Sequence, residues 1–100
     1  MTTFETHVES ALDELPPAIA KALTNVAIVI EDEDPDDADL FGLWESDEFL
    51  PDKITIFRLP LERAFPDPGR LRTEIRITVL HELAHHFGID EERLDELGYS

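Results

Sequence analysis

The sequence lacks cysteine altogether and contains only two lysines, Lys21 and Lys53. The absence of cysteine excludes disulfide frameworks, thiol catalysis and cysteine-bound zinc, so any transition metal must be bound by His, Asp or Glu. The 24 acidic residues leave a net charge of −16, which disfavours nucleic acid and anionic membranes as partners. We therefore expect a neutral or cationic partner.

Long apolar runs are also missing, since no stretch of about 18 apolar residues occurs. The N-terminal segment Met1-Thr2-Thr3-Phe4-Glu5 lacks the basic start and the apolar stretch of a signal peptide. These features predict a cytoplasmic protein. A chain of 100 residues with 42% apolar content suffices for one compact domain, so we expect residues 1–100 to form a single domain.

The N-terminal half predicts a helix, a strand and an acidic loop. Apolar residues recur at helical spacing over residues 4–15, which indicates an amphipathic helix. The continuous apolar run at residues 26–30 is typical of a strand buried on both faces, and we expect it to be the central strand. Residues 31–39 include seven acids and predict a solvated loop. A calcium site is the alternative for this loop, but the central glycine and terminal glutamate of an EF-hand are missing.

The C-terminal half predicts a second strand and the longest helix. Residues 54–59 alternate β-branched with other residues and indicate a strand that Pro60 ends. Residues 70–87 contain no proline or glycine, and their apolar side chains cover most of a helix circumference, so this helix should be buried in the core. Gly88 is suited to end it, and residues 90–97 predict a final short helix with Asp90 as N-cap.

The core helix carries the segment His81-Glu82-Leu83-Ala84-His85. The two histidines are about one helical turn apart, a rise of ~6 Å, so both imidazoles leave one face and can bind the same ion. Glu82 lies about 100° around the helix, where it can reach a water on that ion without being a ligand. Zinc with three protein ligands keeps one position for water and lowers its pKa to about 7. We therefore predict a zinc hydrolase site with Glu82 as the general base, which also returns the proton to the leaving amine.

A third protein ligand must follow the turn at Gly88. Glu91, three residues beyond that glycine, is the first candidate, and Asp90 and Asp95 are the alternatives. His86 points about 100° away from His85, so we expect it at the rim or behind the ligands. Histidine pairs also occur on helices that bind no metal, but polar groups without partners cost free energy on so apolar a helix.

The segment from Thr78 to Ile89, with its His-Glu-Leu-Ala-His-His-Phe-Gly core, resembles the small bacterial zincin-like metallopeptidases with a minimal zincin fold. The similarity continues through residues 90–99, and residues 56–63 resemble a second landmark of that family. The resemblance covers about a third of the chain. It implies an α+β fold in which a small mixed sheet packs against a central metal-binding helix, with additional short helices.

The resemblance also implies a metallopeptidase in which His81, Glu82 and His85 form the site and Gly88 makes the turn. Spacing similar to that of the metzincins implies Glu91 as the third zinc ligand, although metzincins have a histidine there. The methionine turn of the metzincins has no counterpart, because Met1 is the only methionine.

The sequence thus favours a zinc-dependent metallopeptidase that cleaves peptide bonds through a zinc-activated water. An extended peptide substrate would pair with the strand at residues 54–59 if that strand lies at a sheet edge. The alternative is a metal-binding pseudo-enzyme or an acidic protein-interaction module, although a purely structural site has no need of the base Glu82. A metal-dependent nuclease is disfavoured by the net charge of −16 and by the same glutamate. Arg58 and Arg63 are expected in ion pairs rather than in substrate binding.

Overall fold

The computed structural model describes residues 3–15, 17–87 and 92. Helices surround a small sheet, and the elements in chain order are α1 (Thr3–Asp13), α2 (Pro17–Ala22), β1 (Ala27–Glu31), β2 (Gly42–Glu45), β3 (Lys53–Phe57), α3 (Arg58–Ala64) and α4 (Pro68–Phe87). Within the described ranges, no helix is both long enough and apolar enough to cross a membrane. The predicted cap at Gly88 and the predicted helix at residues 90–97 lie outside the described residues.

The sheet is mixed, as the family resemblance implied. Its strand order is β1-β3-β2, with β1 parallel and β2 antiparallel to β3. The prediction that residues 26–30 form the central strand is wrong, because β3 lies between the other two strands. Ile54, Thr55, Ile56 and Phe57 are all almost completely buried in β3, whereas every residue of β1 keeps part of its surface exposed.

The chain leaves β3 earlier than the sequence predicted. Arg58 and Leu59 were expected in the strand, but α3 already begins at Arg58. Pro60 therefore falls in the first turn of a helix, where its missing N–H leaves no hydrogen bond unmade. Leu61 follows as a fully buried side chain that fixes this turn against the core.

Helix α4 forms the centre of the core, as predicted, and it begins two residues before the expected start. Pro68 takes the first helical position, which suits its fixed φ angle. The Asp67 carboxylate accepts the Arg70 N–H at 2.9 Å and the Asp67 carbonyl accepts the Leu71 N–H at 2.8 Å, so Asp67 caps the helix. The helix contributes the buried side chains of Leu71, Ile75, Val79, Leu80, Leu83 and Ala84.

Helix α1 packs on α4 from the other side of the core. Its residues Phe4, Val8 and Ala11 are buried, and Leu15 just beyond its end is buried too. This spacing of three and four residues is the helical periodicity on which the prediction for residues 4–15 rested. The buried side chains of the two helices thus join those of β3 in one hydrophobic core.

The acidic loop between β1 and β2 is held by hydrogen bonds and ion pairs. Asp34 accepts backbone N–H groups of Asp36 and Asp37, which makes a local turn. Arg58 contacts Asp32 at 2.9 Å, and this hydrogen bond is the main cause that raises the pKa of its guanidinium. Ion pairing of Arg58 is therefore confirmed. Among the described residues, no three His, Asp or Glu side chains are placed so that they could hold a metal ion.

Candidate metal centre

Three of the predicted site residues, His81, Glu82 and His85, lie on the last two turns of α4. His81 and Glu82 are half-buried and His85 is exposed, while Leu83 and Ala84 between them are buried in the core. This part of the helix therefore has two different faces. Its apolar side chains point toward the sheet, and the histidine pair points toward the surface. His81, Glu82 and His85 stand close enough for both histidines to influence the carboxylate electrostatically.

The Glu82 carboxylate accepts a hydrogen bond from the backbone N–H of Trp44 in β2. Its pKa is raised above the ordinary value, chiefly because partial burial disfavours the charged form. His85, the Trp44 N–H and His81 each favour the charged form and so oppose this rise. The general base predicted from sequence is therefore fixed by a strand far from it in the chain.

The phase of the β2–β3 pairing explains why the Trp44 N–H is available to Glu82. Phe57 donates its N–H to the Phe41 carbonyl at 2.9 Å, so that pair is hydrogen-bonded across the ladder. In an antiparallel ladder, hydrogen-bonded pairs of opposed residues alternate with pairs that are not hydrogen-bonded to each other. Gly42 and Trp44 belong to the second kind, so their N–H and C=O groups point away from β3. The outer edge of β2 consequently runs beside Glu82.

Gly42 allows β2 to approach α4 this closely. A Cβ atom at position 42 would lie 2.6 Å from Cγ2 of Thr78, 3.4 Å from the Thr55 carbonyl oxygen and 3.6 Å from Cγ of Glu82. The first distance is far shorter than van der Waals contact permits, so a larger residue would push the strand away from the helix. This role of Gly42 was not predicted, although a single glycine inside an apolar segment is a signal of close backbone approach.

A cluster of Trp44, Asp52 and His86 joins the sheet to the end of α4. The indole and imidazole rings stack with centroids 4.1 Å apart, and the indole Nε1 donates to the Asp52 carboxylate at 3.3 Å. His86 Nε2 lies 3.3 Å from the same carboxylate oxygen. His86 therefore faces β2 and the loop before β3, which agrees with its expected place outside the ligand set. The sequence did not indicate any role for Asp52.

The chemistry of the described donors fits zinc. Two imidazoles from successive turns of one helix are ligands that zinc accepts, and the carboxylate of Glu82 between them stays free of the metal to act as base. No group of three potential ligands forms within residues 3–15 and 17–87, and the predicted third ligand Glu91 lies outside the described residues, as do Asp90, Asp95 and Gly88. Glu91 therefore stays a prediction.

A mixed sheet packed on a helix with this histidine pattern defines a minimal zincin-like architecture. The model of one protein family, described as zincin-like metallopeptidase, matches residues 23–99. This match covers more than three quarters of the chain, and the protein therefore belongs to the zincin-like metallopeptidase family. A search of curated proteins finds no match.

Proposed function

We propose that this protein is a zinc-dependent peptidase whose metal is held by His81, His85 and Glu91 and whose general base is Glu82. One observation carries the proposal. The Glu82 carboxylate accepts the outward-facing N–H of Trp44 and is within electrostatic reach of His81 and His85, so the proposed base and the two proposed metal ligands lie together beside a strand edge. The family match supports a peptidase activity for the protein.

Zinc, when bound, supplies a Lewis acid that polarises the scissile carbonyl and makes a water acidic enough to be deprotonated near neutral pH. A carboxylate oxygen of Glu82 accepts the proton of the attacking water and then delivers it to the nitrogen of the leaving amine. The hydrogen bond from Trp44 fixes the direction in which this carboxylate points. Its half-buried position keeps competing water away from one side.

The outer edge of β2 is the place we propose for an extended peptide substrate. The earlier expectation assigned this role to residues 54–59, but β3 is paired on both sides and has no open edge. Gly42 directs its main-chain groups outward, and a peptide can begin an added strand there, while the Trp44 N–H holds the Glu82 carboxylate. Asp47 and Glu48 follow β2, and both are exposed, so a substrate with basic residues is electrostatically favoured here.

The decisive experiment pairs zinc analysis with a peptidase assay on a peptide library. The protein after dialysis against zinc is expected to hold about one zinc per chain, and His81→Ala is expected to lose it. His7→Ala is the matched control, because His7 lies on α1 and not on the helix that carries the proposed ligands. Glu82→Gln should keep the zinc while turnover falls by about 10²–10⁴.

Two outcomes of this experiment contradict the proposal in different ways. Undiminished cleavage by Glu82→Gln would remove Glu82 from the mechanism. Zinc bound by the unaltered protein without cleavage of any library peptide would favour the alternative of a metal-binding module with no peptidase activity.

A further inference from the structure

Asp52, the residue before β3, contacts three other elements of the fold. Its carbonyl accepts the N–H of Ala27 in β1 at 2.8 Å. Its carboxylate oxygen Oδ2 accepts the indole N–H of Trp44 in β2 at 3.3 Å, and the same oxygen lies 3.3 Å from Nε2 of His86 on α4. The Asp52 side chain is 31% exposed, so its carboxylate lies partly inside the junction of these elements.

Trp44 contacts one face of α4 at two points. Its main-chain N–H donates to Glu82, and its indole ring stacks on His86. Glu82 and His86 are four residues apart on α4, so their side chains are neighbours on the same face of the helix. Together the two contacts fix where β2 lies along the helix and how the strand is rotated against it.

The Trp44 N–H depends on these contacts because the β ladder does not hold it. β2 has four residues and pairs only with β3 in the described part of the chain, and the N–H of Trp44 points away from β3. A short edge strand opens locally at a low cost in free energy. The main chain of Trp44 therefore keeps its place beside Glu82 while the indole is anchored, and Asp52 gives the indole a hydrogen-bonded anchor.

We propose that Asp52 is a positioning residue for the proposed general base Glu82. Its carboxylate holds the indole of Trp44 against the imidazole of His86, and the anchored Trp44 keeps its main-chain N–H on the Glu82 carboxylate. The base then points in one direction before the substrate arrives, which lowers the entropic cost of the reaction. This role rests on the proposed function, to which it adds a residue that is neither a proposed ligand nor the base.

A cluster that served only to stabilise the fold would behave differently from a positioning cluster. Its loss would loosen the β2–β3 ladder and the Glu82 contact together. Loss of a positioning residue instead loosens the Glu82 contact and leaves the ladder closed. Two amide groups report on the two possibilities. The Phe57 N–H, which donates to the Phe41 carbonyl at 2.9 Å, reports on the ladder, and the Trp44 N–H reports on the contact with Glu82.

The test measures amide hydrogen exchange by NMR in the full chain without zinc, so that it needs neither metal nor substrate. Glu82→Ala is expected to abolish the protection of the Trp44 N–H, because the acceptor is gone. Asp52→Ala should lower this protection about tenfold, the equivalent of one hydrogen bond, while the Phe57 N–H keeps its protection. Asp52→Asn retains an oxygen that accepts the indole N–H, so its protection at Trp44 should lie between that of Asp52→Ala and that of the unaltered protein.

Glu45→Ala is the matched control. Glu45 follows Trp44 in β2 and pairs with Lys53 at 3.6 Å, so this variant also removes one carboxylate and one contact between β2 and the start of β3. Its Trp44 N–H should keep full protection. If Asp52→Ala folds poorly by circular dichroism, Trp44→Phe replaces it, since phenylalanine loses the donor to Asp52 but keeps a ring for His86. The amide at position 44 should again lose protection while that of the ladder does not.

The effect on catalysis is measured with zinc and a peptide that the unaltered protein cleaves. Asp52→Ala is expected to lower kcat about tenfold with KM and zinc content unchanged, because the base is misdirected while the metal ligands remain. Glu45→Ala should keep kcat. If the unaltered protein cleaves no peptide, the proposed function fails, whereas the exchange measurements still decide whether Asp52 holds Glu82 in place.

Three results would overturn the proposal. Equal loss of protection at Trp44 and Phe57 in Asp52→Ala would show a general loosening of the fold. Unchanged protection at Trp44 in the same variant would show that the strand keeps this N–H in place without Asp52. An unchanged kcat in Asp52→Ala, or an equal loss in Glu45→Ala, would separate the cluster from catalysis.

Discussion

The indole of Trp44 and the imidazole of His86 stack in nearly parallel planes, with ring centroids 4.1 Å apart and an angle of 12° between them. Trp44 belongs to the edge strand whose N–H holds Glu82, and His86 immediately follows the predicted ligand His85. One contact therefore connects the strand that fixes the base to the turn of α4 that carries the histidines. The Asp52 carboxylate contacts both rings and restricts them further.

This stack should contribute measurable coupling energy. A double-mutant cycle of Trp44→Leu and His86→Leu is expected to give about 1 kcal/mol of interaction free energy, the usual range for a pair of stacked rings. The measurement is denaturant unfolding of the four proteins in metal-free buffer, so that zinc does not contribute. Strictly additive losses would show that the rings are adjacent without stabilising each other.

Substitution of Gly42 should separate β2 from α4. Gly42→Ala places a Cβ 2.6 Å from Cγ2 of Thr78, and we expect unfolding to become easier by about 1–3 kcal/mol. Gly69→Ala is the matched control, since its Cβ would meet only the Asp67 side chain at 3.3 Å. Thermal unfolding of both variants gives the comparison.

A rescue variant distinguishes this clash from a general effect of glycine replacement. Thr78 donates its hydroxyl to the Glu74 carbonyl at 2.8 Å, and Thr78→Ser retains that hydroxyl while it removes Cγ2. Thr78→Ser should therefore raise the stability of the Gly42→Ala protein, whereas the same substitution should bring no gain in the protein that keeps Gly42. Absence of any recovery would place the cost of Gly42→Ala elsewhere.

The long helix could be predicted because the sequence features that determine it lie within the helix itself. Residues 70–87 lack helix breakers, and their apolar side chains repeat at helical intervals, so neighbouring residues alone determine the outcome. The motif on α4 benefits from the same property, since a spacing of four residues fixes which side chains share a face. The family resemblance then supplied the mixed sheet, which the strands alone did not indicate.

Strand order and the contacts around Glu82 could not be predicted in the same way. The apolar run in β1 indicates burial, but only pairing with residues distant in the chain decides which strand lies in the middle. The same holds for the contact of Gly42 with Thr78 and for Asp52 beside His86. Each of these contacts joins two segments that meet only in the packed core. Such a contact leaves no periodic pattern in the sequence.

Zinc should raise the thermal stability of the protein through the histidine pair. A ligand that binds only the folded state at a hundred times its Kd adds about 2.7 kcal/mol, which corresponds to a rise in Tm of roughly 10–20 °C for a domain of this size. Calorimetry with zinc and with a chelator measures the difference. The rise is expected for the unaltered protein and for His7→Ala, and it should vanish in His81→Ala and His85→Ala. An equal rise in all four proteins would place the zinc elsewhere.

The third ligand can be identified by comparing three acids that follow α4. If Glu91 holds the metal, Glu91→Gln removes an anionic donor and should weaken zinc binding at least tenfold, while its amide keeps nearly the same size. Asp90→Asn and Asp95→Asn provide matched controls, because each also exchanges one carboxylate for an amide and changes the net charge equally. Competition with a zinc-binding dye measures the three affinities. Similar small losses in all three variants would indicate only the lower negative charge, and a large loss in Asp90→Asn or Asp95→Asn instead would move the third ligand to that residue.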